Sequence, residues 1–128
     1  MEEYKVKVTE NGDKAWYQND KLHRLDGPAI ERVNGNNLWY QDGKCHRLDG
    51  PAIEYANGYK AWYQNGKRHR LDGPAVEYAN GNKLWYIDGK WLTEEEFNAR
   101  NNVEVTLEDI AEAMNIDVDK LRIKGMHI

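Results

Sequence analysis

The heptapeptide His-Arg-Leu-Asp-Gly-Pro-Ala occupies residues 23–29, and the same seven residues recur at 46–52 and 69–75. Two other pairs recur with the same 23-residue spacing: Trp-Tyr at 16–17, 39–40, 62–63 and 85–86, and Asn-Gly at 11–12, 34–35, 57–58 and 80–81. Self-similarity at a fixed period of this length is the signature of a repeat architecture. Each copy in a stacked scaffold meets the same neighbours, whereas catalysis needs one set of residues in one pocket. The repetition therefore favours a structural array and predicts no enzyme.

Each unit is predicted to consist of antiparallel strands joined by tight turns. Asn-Gly and Asp-Gly pairs supply the positive φ angles of type I′ hairpin turns, and the Trp, Tyr, Ile and Val residues between them favour a half-buried sheet. In the first unit Asn19-Asp20 stands where the other units have a glycine, so we expect that turn to be somewhat strained. Proline cannot donate to a sheet ladder, so the strand should bend or break at each Asp-Gly-Pro.

Two-residue turns at 65–66 and 57–58 fix a predicted register. The predicted pairs are Tyr63 with Arg68, Gln64 with Lys67, Trp62 with His69, Ile53 with Trp62, and Tyr55 with Lys60. Because side chains alternate along a strand, this register places the tryptophans beside the histidines on one face and the Trp-Tyr tyrosines on the other. The predicted stacked rows are Trp16, Trp39, Trp62 and Trp85 beside His23, His46 and His69.

The His-x-x-Asp spacing in each heptapeptide could indicate acid–base chemistry or a metal site. Successive copies should lie about two strands apart, on the order of 10 Å, which is too far for two histidines to share a zinc ion with bonds of about 2 Å. We therefore predict structural roles, with each histidine stacked on a tryptophan and each aspartate capping the Gly-Pro turn or pairing with an arginine of a neighbouring unit. These aspartates are Asp26, Asp49 and Asp72. No catalytic residue, metal or cofactor is expected, and a hydrolase using one particular His-Asp pair is the competing hypothesis.

The tryptophan row could stack bases or sugars, but we interpret it as a buried face, because a row of solvated indoles would form an adhesive patch. The tyrosine face is the better candidate for a contact surface, since Tyr and Arg are enriched at interfaces. The candidate interaction residues are Tyr17, Tyr40, Tyr63, Tyr86, Arg24, Arg47 and Arg70. Cys45 stands where other units have Leu22 and Arg68, and no unique base accompanies it, so it is not expected to be a nucleophile.

Composition narrows the class of protein further. The 128 residues include 8 Tyr and 5 Trp but only 1 Phe and 1 Cys, so no internal disulfide can form. Through residue 92 there are 14 basic and 13 acidic side chains, whereas from Thr93 onward there are 4 and 9. This is not the basic footprint of a general nucleic-acid binder. Without a long apolar run or a secretory signal at the N-terminus, the chain is expected to be cytoplasmic and not inserted in a membrane.

Residues 8–92 resemble the MORN repeat family, most clearly in the segment NGKRHRLDGPAVEYANGNKLWYIDGK at 65–90. MORN units have about this length and contain a Tyr or Trp strand, an Asn-Gly-Lys turn and a Gly-rich second strand. The heptapeptide departs from the usual Gly-rich stretch and is similar to repeats in uncharacterised proteins of tailed phages and large DNA viruses. The resemblance implies a binding protein without chemistry of its own, usually for proteins and sometimes for lipid headgroups.

The segment 93–128 is predicted to be an acidic helical cap. Thr93-Glu-Glu-Glu96 and Thr106-Leu-Glu-Asp109 both have an N-cap residue followed by an acid three residues later. The first should open a short helix through about Arg100. The second opens a stretch at 107–124 that is similar to a helix-turn-helix core. A helix that binds bases needs cations and amides, and this one carries acids, so a cap over the edge of the last strand is the favoured interpretation.

Together these patterns predict a mainly β fold: a single twisted antiparallel sheet of seven or eight strands, built from about 3.5 MORN-like β-hairpin units at 1–92, with a small α-helical segment at 93–128. The predicted function is a non-enzymatic protein-interaction module. The resemblance points to a phage or viral product that binds and inhibits a host protein in the host cytoplasm, such as a defence factor, in the manner of anti-CRISPR or anti-restriction proteins. The alternative is a nucleic-acid-binding regulator that uses residues 109–124.

Overall fold

The computed structural model describes residues 3–100, Glu112 and Met114. A first compact unit of the chain ends at Phe97, and the sheet and the site described below lie within it. The described residues form 14 strands and one helix of six residues, so the predicted mainly β, antiparallel fold with a small helix towards the C-terminus is confirmed. The strands outnumber the seven or eight expected because most of them are only two residues long.

The strands follow one another in the same pattern in each unit. In chain order they are β1 (Tyr4–Val8), β2 (Lys14–Gln18), β3 (Lys21–Leu22), β4 (Ile30–Glu31), β5 (Asn37–Leu38), β6 (Tyr40–Gln41), β7 (Lys44–Cys45), β8 (Ile53–Glu54), β9 (Lys60–Ala61), β10 (Tyr63–Gln64), β11 (Lys67–Arg68), β12 (Val76–Glu77), β13 (Lys83–Ile87) and β14 (Lys90–Leu92), followed by helix α1 (Glu94–Ala99). No helix among the described residues is long and apolar enough to cross a membrane.

Ten strands form one antiparallel sheet in the order β1-β2-β4-β5-β8-β9-β12-β13-β14, with β3 paired to β2. The hairpins β6-β7 and β10-β11 form two further two-stranded ladders. Backbone hydrogen bonds join each hairpin to the one before it, as when Arg24 N–H donates to Tyr40 O at 3.1 Å and Gly43 N–H donates to Leu22 O at 2.9 Å. The repeats are therefore linked twice, through the main sheet and through the row of hairpins.

The two-residue hairpin turns form as predicted. Both turn residues have positive φ in every copy, as in Asp42 (49°) with Gly43 (79°) and Asn65 (51°) with Gly66 (79°), which is the backbone of a type I′ turn. Tyr63 accordingly pairs with Arg68 and Gln64 with Lys67. The first copy adopts the same shape with an aspartate in place of glycine, since Asn19 has φ 50° and Asp20 has φ 64°.

The register predicted around Asn57-Gly58 is wrong by one residue. Gly58 N–H donates to Tyr55 O at 3.0 Å and Tyr55 N–H donates to Tyr59 O at 2.9 Å, so the loop contains three residues. Only Gly58 has positive φ (99°), which is typical of a type I turn followed by a left-handed glycine. Ile53 therefore pairs with Ala61, not with Trp62, and a shift of one residue reverses the face on which each partner lies.

The fully buried side chains of the described residues are small. Ala29, Ala52, Ala61, Ala75 and Val76 have no exposed surface, whereas the four tryptophans of the Trp-Tyr pairs are only half-buried. The alanine carbonyl of each heptapeptide accepts a hydrogen bond from the tryptophan that precedes it in the chain, as when Trp39 N–H donates to Ala52 O at 2.7 Å. A small side chain suits a position where the backbone of two strands approaches this closely.

Helix α1 begins with the predicted capping box. Glu96 N–H donates to Thr93 Oγ1 at 3.1 Å, and Thr93 N–H donates to Glu96 Oε1 at 3.0 Å. The pKa of Glu96 lies below its ordinary value because its carboxylate accepts this backbone N–H. Of the second predicted helix, the structure describes only Glu112 and Met114, which are helical. The rest of the helix-turn-helix-like segment that would bind nucleic acid lies outside the described residues.

Replacing Asp20 with glycine is expected to raise the free energy of unfolding by about 1 kcal/mol, because glycine adopts positive φ without the steric cost paid by other residues. Urea denaturation followed by circular dichroism measures the change. The matched control is Gly43→Asp at the equivalent turn, where an added Cβ meets nothing nearer than 3.7 Å. It should lower stability by a similar amount, and opposite or null effects at the two turns would contradict this account of the backbone.

Candidate functional site

Each arginine of the repeated heptapeptide is held on a tryptophan of its own unit. In the second unit the guanidinium carbon of Arg47 lies 3.9 Å from the centre of the Trp39 ring. Its Nε donates to Asp49 Oδ1 at 2.9 Å, and its Nη1 donates to Pro51 O at 3.0 Å and to Glu54 Oε1 at 3.3 Å. We call this set the arginine network, and its other two copies are Arg24 with Trp16, Asp26, Pro28 and Glu31, and Arg70 with Trp62, Asp72, Pro74 and Glu77.

The glycine of each heptapeptide is required by this guanidinium and not by its own backbone. A Cβ added at Gly50 would lie 2.9 Å from Arg47 Cζ, and at Gly27 and Gly73 the corresponding distance is 3.0 Å. None of the three has positive φ. The loop therefore wraps directly against the arginine, which fills the space that a side chain would need.

The three heptapeptide histidines connect each unit to the next one. His46 Nδ1 accepts the backbone N–H of Asn65 at 2.9 Å, and His23 and His69 accept from Asp42 at 3.0 Å and Asp88 at 2.9 Å in the same way. A ring nitrogen that accepts a hydrogen bond carries no proton. The approach of Asp88 Oδ1 to His69 Nδ1 at 3.3 Å is therefore not an ion pair.

Several expected contacts within the repeat are corrected by these distances. Arginines, not histidines, lie over the tryptophan rings. Each aspartate bonds the arginine two residues before it in its own heptapeptide, not one in a neighbouring unit, and Arg24 holds the pKa of the Asp26 carboxyl below its ordinary value. Consequently the side chains of Arg24, Arg47 and Arg70 do not join the tyrosines in the predicted contact surface.

The last tryptophan is covered differently because no fourth heptapeptide follows it. The residue eight positions after Trp85 is Thr93, where each earlier unit has its arginine. Phe97 of helix α1 takes that place, with its ring centre 6.5 Å from the centre of the Trp85 ring and 6% of its surface exposed. Phe97 thus packs against the last tryptophan of the repeat in the place of an arginine.

The clefts on the tryptophan side repeat along the array. One is lined by Trp39, His46 and the loops at 24–28 and 47–49, and the next has the corresponding residues 23 positions later. Within residues 3–100, no three His, Cys, Asp or Glu side chains lie close enough together to hold a metal ion. These clefts are equivalent by-products of the repeat, so none of them is distinguished as a site.

Gly50→Ala is expected to lower the free energy of unfolding by about 2 kcal/mol, because the added methyl overlaps the Arg47 guanidinium. In an Arg47→Ala background the same change should cost less than about 0.5 kcal/mol, since the obstacle is gone. Urea denaturation of the wild type, both single variants and the double variant completes the cycle. Equal costs of Gly50→Ala in the two backgrounds would show that the glycine serves the backbone and not the arginine.

The opposite side of the hairpin row carries tyrosines around one arginine. Tyr17, Tyr40, Tyr63 and Tyr86 alternate with the tryptophans along their strands and so point the other way. Arg68, the cross-strand partner of Tyr63, donates from Nε to the Tyr63 hydroxyl at 3.1 Å and from Nη1 to the Tyr86 hydroxyl at 3.2 Å. The guanidinium carbon lies 5.2 Å from the centre of the Tyr86 ring.

Three further tyrosines extend this group towards the loops at 55–59 and 78–82. The ring centre of Tyr59 lies 5.3 Å from that of Tyr55 and 5.5 Å from that of Tyr78. Burial raises the pKa of Tyr59, and the neighbouring Arg68 opposes that rise. The tyrosine cluster is defined as Arg68 with Tyr40, Tyr55, Tyr59, Tyr63, Tyr78 and Tyr86. Tyr17 lies apart from it, under the ammonium group of Lys7 at 4.7 Å.

The tyrosine cluster forms where the repeat departs from its own pattern. Arg68 stands at the position of Leu22, Cys45 and Trp91, and Tyr59 stands at the position of Asp13, Asn36 and Asn82. At Asp13 and Asn36 this second position serves a structural bond: Asp13 Oδ1 accepts the N–H of Val33 and Asn36 Oδ1 accepts the N–H of Ala56, both at 2.9 Å. Sequence reasoning named three of the six tyrosines but missed Arg68, Tyr55, Tyr59 and Tyr78, although these breaks in the periodicity were visible.

Cys45 lies beside the cluster and is shielded from reaction. Only 8% of its surface is exposed, and burial raises the pKa of its thiol to about 12. The thiolate is the nucleophilic form, so almost none of it is present at neutral pH. The position that holds an arginine in the next unit here packs as a small apolar side chain.

Native protein at pH 8 is therefore expected to react with a disulfide reagent such as dithionitrobenzoate at least 100-fold more slowly than protein unfolded in urea. The unfolded thiol returns to an ordinary pKa of about 8.5 and is fully exposed. Absorbance at the wavelength of the released thiolate follows the reaction. Because the chain has 1 cysteine, one mole of product per mole of protein completes the unfolded reaction. Comparable native and unfolded rates would mean that Cys45 is accessible.

Comparison of the chain with protein-family models, curated proteins and solved structures finds no match. The many short antiparallel hairpin strands of one sheet are compatible with a MORN-like repeat.

Proposed function

We propose that this chain is a non-enzymatic protein-binding module whose contact surface is the tyrosine cluster. The observation that carries the proposal is that six tyrosines and one arginine gather on one side of the sheet, at the unit where the repeat breaks its pattern. Tyrosine and arginine are enriched at protein interfaces. Tyrosine in particular offers a large, rigid, amphipathic contact area at low cost in conformational entropy.

The polar groups on the tryptophan side and on the tyrosine side of the sheet differ in how far contacts within the chain already use them. On the tryptophan side, each heptapeptide arginine is engaged by a ring, two carboxylates and a carbonyl. A partner could not use those donors without dismantling the loop that they hold. The tyrosines of the cluster are half-buried except Tyr78, which is 39% exposed, so part of the surface of each residue is accessible for contact.

The partner that fits the resemblance is a host protein. As a small phage or viral product without chemistry of its own, this chain would act by covering a functional surface of a defence factor in the host cytoplasm. Binding alone is sufficient for such inhibition. The break in periodicity also fits this role, since a scaffold that only stacks on itself has no use for one unit unlike the others.

The double variant Tyr59→Asn/Arg68→Leu tests the proposal, because Asn36 and Leu22 show that the fold accommodates both residues at these positions. Immobilised wild-type protein should retain one host protein from a nuclease-treated lysate, and the double variant should retain at least tenfold less of it, the loss expected when central interface residues are removed. Quantitative mass spectrometry measures retention, and calorimetry with the purified partner measures Kd. The control is Leu48→Ser, on a heptapeptide loop where the leucine is 75% exposed.

Equal retention by the wild type and the double variant would refute the tyrosine cluster as the contact surface. Loss in Leu48→Ser with full retention by the double variant would assign binding to the heptapeptide loops. Retention that depends on omitting the nuclease would favour the nucleic-acid alternative. Circular dichroism and urea denaturation of all three proteins show whether each variant is folded.

A further inference from the structure

We infer that Arg68 is the receptor for a carboxylate side chain, an aspartate or glutamate presented by the bound protein. The inference deepens the proposed function and rests on it. It assigns a definite chemical partner to the centre of the tyrosine cluster, where the sequence predicted only a general contact surface without this arginine.

The charge of Arg68 is not neutralised by any carboxylate among the residues that the structure describes. Each heptapeptide arginine has two carboxylates within 3.3 Å, and Arg32 has Asp13 at 3.5 Å. Arg68 instead donates hydrogen bonds to the hydroxyls of Tyr63 and Tyr86. Glu54 and Glu77, in the ten-stranded sheet, are engaged by Arg47 and Arg70 on the tryptophan side. An anion approaching Arg68 would therefore meet an uncompensated cation without a competing acid.

The hydrogen-bonding groups around Arg68 are matched to a ligand that only accepts. A guanidinium has five N–H donors and no acceptor, and two of the five are used on tyrosine hydroxyls. Each hydroxyl that accepts from Arg68 still has its own proton to donate. The site thus presents guanidinium N–H and tyrosine O–H donors together, and an ionised carboxylate is the side chain that offers acceptors alone.

The surroundings of Arg68 strengthen such a pair. The arginine is half-buried among rings, where charge-assisted hydrogen bonds are stronger than in water. Burial raises the pKa of Tyr40 and of Tyr59, so these hydroxyls remain neutral donors at physiological pH and do not compete as anions. Aromatic rings also surround the arginine, and a protein surface can cover these rings whereas a lone ion cannot.

The single charge of the site favours a carboxylate over a phosphate group. Lys67, next to Arg68 in β11, alternates to the opposite side, so one cation stands alone in the cluster. A phosphate group carries a charge of about −1.5 to −2 near pH 7 and would keep part of it unbalanced here. One carboxylate balances one guanidinium and fits its planar pair of donors.

Nuclear magnetic resonance of the full chain with 15N-labelled arginine tests the inference with small probes. The probe is N-acetylglutamate amide, the control is its neutral isostere N-acetylglutamine amide, and inorganic phosphate is a third arm. We expect the side-chain N–H resonances of Arg68, identified by their loss in Arg68→Leu, to shift saturably with the glutamate probe at a Kd on the order of 10 mM. Arg24, Arg47 and Arg70 serve as internal controls and should not respond, because carboxylates already occupy them.

Tyr86→Phe provides the second measurement. It removes one hydroxyl that bonds Arg68 and keeps the ring, so it should weaken binding of the glutamate probe about three- to tenfold. A similar shift with the glutamine probe, a response shared by all four arginines, tighter binding of phosphate, or no saturable shift up to about 100 mM would each overturn the inference. The titration needs no protein partner, so its failure is distinguishable from failure of the capture experiment, which needs no knowledge of the ligand group.

Discussion

A guanidinium stacked on a tryptophan, with its remaining donors held by an aspartate, a proline carbonyl and a glutamate, is the contact on which the repeat depends. It accounts for several conserved positions of the repeat at once: Arg24 needs Asp26 and Glu31 as acceptors, Gly27 as space and Trp16 as a platform. Exposed ion pairs alone contribute little. Here the arginine also stacks on a ring, which adds about 0.5–2 kcal/mol, and closes the loop that returns the chain to the sheet.

The arginine network also decides which side of the sheet is available for binding. Because it occupies the donors beside three tryptophans, and Phe97 covers the fourth, the tryptophan side is committed to holding the array together. Among the described residues, the opposite side of the sheet carries no equivalent network repeated in every unit. There the replacement of a leucine or cysteine by Arg68 and of an asparagine by Tyr59 creates the tyrosine cluster without disturbing the repeated contacts. Function can therefore be added to one unit while the others preserve the scaffold.

Arginine side chains have opposite charge environments in the arginine network and in the tyrosine cluster. Arg47 is neutralised within its own unit, whereas Arg68 is bonded to hydroxyls that leave its charge in place. The first arrangement stabilises the fold. The second leaves a positive charge that a carboxylate of a bound partner can neutralise. This difference separates a structural arginine from a recognition arginine more clearly than exposure does, since both are half-buried.

Period and turn chemistry in the sequence by themselves determined the repeat, the antiparallel hairpins and the capping box at Thr93, because each depends on residues close together in the chain. Loop length at Asn57-Gly58 was not determined, since the same two letters suit a two-residue or a three-residue turn. The extra loop residue pairs Ile53 with Ala61, so Ile53 and Trp62 lie on opposite faces and not on the same one. Only the tertiary structure decided that Arg47, not His46, lies on Trp39, and that Arg68 meets Tyr86 of the next unit. Contacts between units depend on how neighbouring strands are aligned, and that alignment is a property of the assembled sheet.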